Sequence, residues 1–245
     1  MLVNKSASFA MKISVIVPAY NEADRILPSL QRIGVYMAQH HPDYELLVVD
    51  DGSTDGTAAA VRRGSDPANH LKVLGYGGNR GKGYAVRFGA LASAGEVILF
   101  SDADLSTPIE EMEKMVPLIA QGYDLVIGSR AHAQSEIRRH QPFCREIAGK
   151  FFNVLVRLLV TRNFRDTQCG FKLFRREPML PVLRAQRIDG FAFDVEMITL
   201  AEAGGLKVAE VPVVWINSPA SRVRLSAAAR AYVDLLGIRM RARRR

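Results

Sequence analysis

The sequence predicts a single α/β domain with a mostly parallel, doubly wound, Rossmann-like sheet flanked by helices. Three observations carry this prediction. Short β-branched or apolar runs recur at residues 11–18, 44–49, 70–74, 96–100 and 123–127. Segments with apolar residues at helical spacing follow them. The unusual polar clusters fall where the runs end, which is where open α/β sheets hold their ligands.

In chain order, Met-Lys-Ile-Ser-Val-Ile-Val-Pro (11–18) is a buried first strand stopped by proline. Asn21 is placed to cap a helix with Asp24 at its third position, and Ile26, Leu27, Leu30, Ile33 and Met37 then recur on one face. The second strand ends in Asp50-Asp51-Gly52-Ser53-Thr54-Asp55-Gly56 and leads to a helix over 57–63. A third strand precedes the glycine-rich 75–83 and a helix through 94. The fourth runs into Ser101-Asp102-Ala103-Asp104, after which Thr107-Pro108-Ile109-Glu110 reads as a capping box for a helix over 108–121. The fifth ends at Gly128-Ser129-Arg130.

The second half is less regular. Residues 145–162 place Ile147, Phe151, Val154, Leu155, Leu158 and Leu159 on one helical face with Lys150, Arg157 and Arg162 around it. Such a helix either lies in a membrane interface or packs on the sheet. Strands are expected at 171–174 and 206–216, and helices at 178–185, 193–203 and 226–240. The domain is bounded at 12–240, between an irregular amino terminus (1–11) and a basic tail (241–245).

At 245 residues and 48% hydrophobic composition the chain can bury a full core. Of its formal +8 charge, Arg239, Arg241, Arg243, Arg244 and Arg245 carry five and the rest of the chain +3. Charge concentrated at one end is either a solvated tail or an attraction to anionic lipid or nucleic acid. A nucleic-acid face would need basic residues interleaved with aromatics, so no nucleic-acid partner is expected. Cys144 and Cys169 lack metal-type spacing and suit a reducing, cytoplasmic setting. Residues 1–10 have no apolar core of signal-peptide length, and no run reaches the ~18 apolar residues of a spanning helix. Any membrane contact is expected to be peripheral, on the cytoplasmic face.

Side chains alternate along a strand, so Asp102 and Asp104 are expected to point the same way as β structure ends. Two hard anions there either serve a turn or hold Mg2+ or Mn2+, which keep open positions for substrate phosphates. Gly75-Tyr76-Gly77-Gly78-Asn79-Arg80-Gly81-Lys82-Gly83 is not a P-loop: Tyr76 stands where the first glycine belongs, and Gly83 where serine or threonine belongs. Ala19-Tyr20-Asn21-Glu22 has no glycine for a dinucleotide pyrophosphate. What remains is a row of acids, Glu22, Asp50, Asp51, Asp102 and Asp104, which a metal-bound nucleotide diphosphate would satisfy. Lys82 is either a solvated helix-start lysine or a phosphate ligand.

Ile16-Val17-Pro18-Ala19-Tyr20-Asn21-Glu22, Val49-Asp50-Asp51-Gly52-Ser53-Thr54-Asp55-Gly56-Thr57, Asn79-Arg80-Gly81-Lys82-Gly83 and Asp102-Ala103-Asp104 together resemble a family 2 glycosyltransferase of the GT-A fold. Gly128-Ser129-Arg130 and Asp166-Thr167-Gln168-Cys169-Gly170-Phe171-Lys172-Leu173-Phe174 are similar to the dolichyl-phosphate β-glucosyltransferases and, more distantly, the polyprenyl-phosphate mannose synthases. The resemblance implies that Pro18, Tyr20, Glu22 and Asp51 hold base and ribose, with Asp50 supporting the same turn. It also implies that Asp102 and Asp104 bridge nucleotide and metal. Ser106 departs from the glutamine often found there in mannose synthases, and the amino-terminal span of the eukaryotic glucosyltransferases is not seen.

The implied reaction is inverting hexosyl transfer from a nucleotide diphosphate sugar, UDP-glucose, onto a polyprenyl or dolichyl phosphate. Alternatives are GDP-mannose as donor, a hydroxyl-bearing sugar as acceptor, a nucleotidyltransferase, or a non-catalytic nucleic-acid-binding protein. An anionic phosphate acceptor needs cations, and Arg130, Arg138, Arg139 and Arg222, with Ser221, are the candidates. A hydroxyl acceptor needs a base, for which Asp194 is the candidate unless it caps its helix. His132 and His140 receive no role.

Overall fold

The β-branched runs become the parallel centre of a larger sheet. The computed structural model describes residues 11–64, 70–218 and 225–242. Its strands are β1 (Ile13–Ala19), β2 (Tyr44–Asp50), β3 (Leu71–Gly75), β4 (Val97–Ser101), β5 (Leu125–Ser129), β6 (Glu136–Arg139), β7 (Phe171–Arg175), β8 (Val208–Pro212) and β9 (Val214–Ile216). Seven of them form one sheet in the order β3-β2-β1-β4-β7-β5-β8, and β6 pairs with β9 in a second. Neighbours in the main sheet are parallel except at β7, which is antiparallel to both β4 and β5.

Helices α1 (Ile26–His40), α2 (Thr57–Arg63), α3 (Lys82–Ala92), α4 (Val116–Ala120), α5 (Phe143–Leu159), α6 (Arg176–Ala185), α7 (Phe193–Ala203) and α8 (Leu225–Ala242) cover both faces. The two-residue alternation of β1 shows why. Val15 and Val17 enter the core built with α1, α2 and α4, whereas Ile16 enters the one built with α3, α6 and α7. A strand buried on both faces has no polar side, so it reads as a continuous apolar run.

Several boundaries differ from expectation, each for a physical reason. Asn21 does not cap α1; it has φ +54° and α1 begins at Ile26 behind Arg25. The expected helix over 108–121 divides into a 3-10 helix, Ile109–Lys114, and α4, and no side chain caps its start. The expected strand over 206–216 breaks after Pro212, so β8 and β9 belong to different sheets. β6, where no strand was expected, pairs with β9 in parallel. The final helix reaches Ala242, two residues into the stretch assigned to the tail.

Candidate active site at the strand ends

Two turns, after β1 and β2, are locked together by backbone and side-chain bonds. Asp51 N donates to Ala19 O (2.8 Å), Asn21 N to Ser53 Oγ (2.9 Å), Thr54 N to Asn21 Oδ1 (2.8 Å) and Glu22 N to Thr57 Oγ1 (2.8 Å). Asparagine tolerates the left-handed conformation this requires. Asn21 therefore joins two turns instead of starting one helix.

The row of acids is present, and most of it is already matched with donors. Glu22, 8% exposed, is ion-paired with Arg25, whose Nη1 also donates to Ser218 Oγ (3.1 Å). The hydrogen bond to Glu22 holds the Arg25 guanidinium above its ordinary pKa, with added pull from Asp104 and Asp102. Asp51 accepts five hydrogen bonds, from Tyr76 Oη, Asn79 Nδ2, Arg80 N and twice from Gly81 N. In this structure Asp51 thereby anchors the 76–81 loop. Pro18 lies buried inside β1, opposite Val49, while Tyr20, just past the strand, is partly exposed.

Asp50 accepts from Ser53 N (3.2 Å) and borders a cavity of about 600 Å3 that Arg62, Tyr76 and Phe88 also line. Asp102 and Asp104 do not line that cavity, so it lies apart from the acidic pair.

Asp102 and Asp104 leave β4 through a turn, not by strand alternation. Leu105 N donates to Asp102 O (3.1 Å), and Leu105 takes φ +46°. Asp104 Oδ1 accepts from Ser106 N (3.0 Å), so it does carry a turn bond. Asp102 Oδ1 lies 2.6 Å from Lys82 Nζ. Burial would pull the Lys82 ammonium down, but Asp102 and Asp194 hold it above its usual value. Burial, then the charge of Asp102, pushes the Asp104 carboxyl up.

Lys82 is thus ion-paired with Asp102 instead of solvated, and the backbone at the start of α3 already has partners. Gly83 N and Tyr84 N already donate to Asp189 O (2.8 and 3.3 Å). Gly170 explains how Asp102 fits: its carbonyl accepts from Asp102 N (3.0 Å), and a Cβ there would lie 1.9 Å from Asp102 Oδ2. The sequence motif contained this glycine without revealing its purpose.

Asp194, the base candidate, is enclosed by the fold. It does not cap α7, whose cap is Ala192, and its side chain is 4% exposed and 2.5 Å from Lys172 Nζ. Lys172, fully buried, also donates to Cys169 O (2.6 Å). Burial holds the Asp194 carboxyl above its normal range despite Lys172 and Lys82. It is a counter-charge behind the site, shut off from reacting atoms.

Arg130 is held by Asp166 through its N, Nε and Nη2 (3.0, 2.7 and 2.9 Å), and its guanidinium lies 5.7 Å from the Trp215 ring. Burial would raise the Asp166 carboxyl, but Arg130 holds it at about 2. A depressed carboxylate stabilises the fold above its unfolded pKa and loses that contribution as pH falls through the folded one. The stability difference between wild type and Asp166→Asn should therefore narrow between about pH 4 and 2, by ~2 kcal/mol in chemical denaturation.

Ser129 Oγ and Thr167 Oγ1, beside this pair, are buried without hydrogen-bond partners among the described residues. Burial pushes the neighbouring Cys169 thiol up to about 11, so thiol reagents should leave Cys169 unmodified in folded protein and label it after denaturation.

Arg138 and Arg139 are ordered on β6. Arg138 pairs with Glu136 at the surface (2.9 Å), and Arg139 O accepts from Asn217 N (3.2 Å). Ile216 N donates to Ser106 O (2.8 Å), which fastens this small sheet two residues beyond Asp104. Ser221 and Arg222 lie outside the described residues. Arg25, Asp166, Gly170 and Trp215 were not singled out in the sequence; only the Asp166–Phe174 motif pointed near any of them.

Among the described residues no group of three or more His, Cys, Asp or Glu could hold a metal. Two half-buried, mutually repelling carboxylates nevertheless fit a hard divalent cation that takes its remaining ligands from phosphate and water. The sequence model of Glycosyl transferase family 2 matches residues 14–180. A dolichyl-phosphate beta-glucosyltransferase of Trichomonas vaginalis is 36% identical, covering 91% of this chain and 69% of that protein. The Drosophila melanogaster dolichyl-phosphate beta-glucosyltransferase is 37% identical, covering 87% of this chain and 70% of its own length.

The fold is shared with glucosyl-3-phosphoglycerate synthase from Mycobacterium tuberculosis, solved with Mn2+, UDP-glucose and phosphoglyceric acid. The TM-score is 0.69 at 21% identity, over 94% of this chain and 80% of that one. With its GT-A architecture, its strand-end acids and a match over most of its length, the chain belongs to glycosyl transferase family 2.

Proposed function

We propose that the protein transfers glucose from UDP-glucose to a polyprenyl or dolichyl phosphate, with inversion at the anomeric carbon. The single observation that carries this reading is the identity of more than a third with dolichyl-phosphate beta-glucosyltransferases over most of the chain. The site supports it from both sides. On the donor side, Asp102 and Asp104 would hold Mg2+ or Mn2+, which when bound neutralises charge on the leaving diphosphate. Lys82, beside Asp102, adds a second positive charge there. Tyr20, Asp50 and the 76–81 loop anchored by Asp51 are left to hold base and ribose.

On the acceptor side, Arg130 is the oriented cation for a phosphate monoester, and Arg139, Ser221 and Arg222 are the further candidates. One acceptor oxygen forms the new bond to the anomeric carbon as the bond from that carbon to the UDP oxygen breaks and UDP departs. A phosphate oxygen is already anionic at neutral pH, which agrees with Asp194 being sealed away and unsuited to act as a base. Among the described residues no helix is long and apolar enough to cross a membrane. We infer that the enzyme meets its lipid acceptor peripherally, on the cytoplasmic face where nucleotide sugar is supplied.

The test is a mass-spectrometric assay crossing UDP-glucose and GDP-mannose with a polyprenyl phosphate and with soluble sugar acceptors, with and without Mg2+ or Mn2+. Metal-dependent formation of glucosyl polyprenyl phosphate is expected. Turnover only with GDP-mannose, or only onto a hydroxyl, would replace this reading. Arg139→Ala should raise the acceptor KM more than the donor KM; equal effects on both would remove Arg139 from the acceptor side.

A further inference from the structure

The apolar stripe that the sequence placed on α5 is not wholly consumed by the core. Phe152 and Val156 pack inward, at 4% and 1% exposure. Phe143, Ile147, Phe151, Val154 and Leu158 stay exposed, between 49% and 76%. Their spacing puts all five on one side of the helix. Helix α8 repeats the arrangement: Ala231, Leu235 and Ile238 are buried, while Val233, Leu236 and Met240 are exposed by 54–68%.

The two stripes adjoin through Tyr232, whose ring meets Phe151 (6.4 Å) and Phe152 (5.2 Å). Only Leu27, Val35 and Leu91 of the other described large apolar residues are comparably exposed, and they lie on other helices. Water-facing apolar residues scattered singly are ordinary; a contiguous pair of stripes marks an interaction surface.

Charge selects the partner. On the α5 helical wheel Lys150 and Arg157, both exposed, border the stripe. Arg230 is exposed near the other end of the surface, and Arg239 and Arg241 lie near the end of α8, where the sequence continues as Arg243-Arg244-Arg245. Acidic residues within these two helices are few, and Glu146 is neutralised by Lys150 (2.7 Å). An apolar stripe edged with cations is the signature of a helix lying in the plane of an anionic bilayer surface.

Its place in the fold is also fitting. Phe143 follows Arg139 by four residues, a span of at most about 14 Å, so α5 begins beside the acceptor edge of the crevice. Helix α8 packs on the other side against Glu196 through Arg241 (3.0 Å).

We propose that α5 and α8 together form the surface by which this protein docks on an anionic lipid bilayer, with Phe143, Ile147, Phe151, Leu158 and Leu236 entering the interface and Lys150 and Arg157 meeting lipid headgroups. The purpose of docking, delivery of a lipid phosphate to Arg130, rests on the function proposed above; the docking itself does not.

Sedimentation of the full chain with phosphatidylcholine vesicles containing about 30% phosphatidylglycerol, and with phosphatidylcholine alone, tests this. Wild type should sediment with the anionic vesicles and do so less at high salt. Phe151→Asp combined with Leu158→Asp should lower the bound fraction by about tenfold or more, and Lys150→Glu combined with Arg157→Glu should act in the same direction. Leu91→Asp, exposed on α3, should bind as wild type does.

All these positions are exposed, and transfer to a short, water-soluble prenyl phosphate should be unchanged in Phe151→Asp/Leu158→Asp, which reports that the variant is folded. Wild type left in the supernatant by both vesicle types would overturn the proposal, as would Phe151→Asp/Leu158→Asp binding like wild type. A wild-type dimer converted to monomer by the same pair, with no vesicle binding, would overturn it in favour of a second copy of this chain. Vesicle binding without turnover of any prenyl phosphate would sink the proposed activity and leave the docking surface standing.

Discussion

Asp104→Asn is expected to lower hexosyl transfer about a thousandfold, equivalent to ~4 kcal/mol of lost transition-state stabilisation. The variant should remain folded. In the native protein burial and the adjacent Asp102 push the Asp104 carboxyl up, so its ionised form is a burden on the fold when no cation is present. A raised carboxylate loses stability as pH rises through its folded pKa, and a neutral amide at 104 removes that loss. Thermal unfolding at pH 7 should show a Tm equal to or above that of wild type, alongside the collapse of turnover. A lowered Tm that accounts for the lost activity would show Asp104 to be a structural turn residue.

Gly170→Ala is expected to reduce turnover about a hundredfold without touching any proposed ligand by its own side chain. An added Cβ would fall 1.9 Å from Asp102 Oδ2 and 2.2 Å from its Cγ. The carboxylate must swing away, which also disturbs its contact with Lys82. Overpacking of this kind costs about 1–3 kcal/mol in stability, small enough for the fold to persist. The expected signature is a rise in the Mn2+ concentration needed for half-maximal transfer, measured beside a circular dichroism spectrum like that of wild type. An unchanged metal requirement would separate Gly170 from the positioning of Asp102.

The main sheet was legible because its central strands are buried on both faces and leave mostly apolar runs, as β1, β2 and β4 do, interrupted only near their starts by Ser14 and Glu45. The crevice was legible because its acids cluster where those runs stop. What failed to show was tertiary. Asn21 has the composition of a helix cap but is claimed by Thr54 across the neighbouring turn. The capping box at Thr107 was cancelled locally, since Pro108 is extended at ψ 145° and the chain enters a 3-10 helix. β6 is four mostly exposed residues, Glu-Ile-Arg-Arg, with no alternation strong enough to announce a strand.

The amphipathic pattern of α5 left two readings open, packing on the sheet or lying in a membrane interface, and only the packing is seen in the fold. Phe152 and Val156 pack inward, while Phe151 and Leu158 face out. Likewise, a sequence shows that Asp51 is acidic but not that four donors from one loop bond to its carboxylate.

The central claim is that the acids ending β4 hold a divalent cation together with a nucleotide diphosphate. Calorimetric titration of UDP into the protein, with and without Mn2+, tests it without relying on turnover. Wild type should bind UDP about tenfold or more tightly with Mn2+ present, and Asp102→Asn combined with Asp104→Asn should bind it with the same affinity in both conditions. An Mn2+ effect that survives intact in that double variant would place the metal elsewhere and contradict the account.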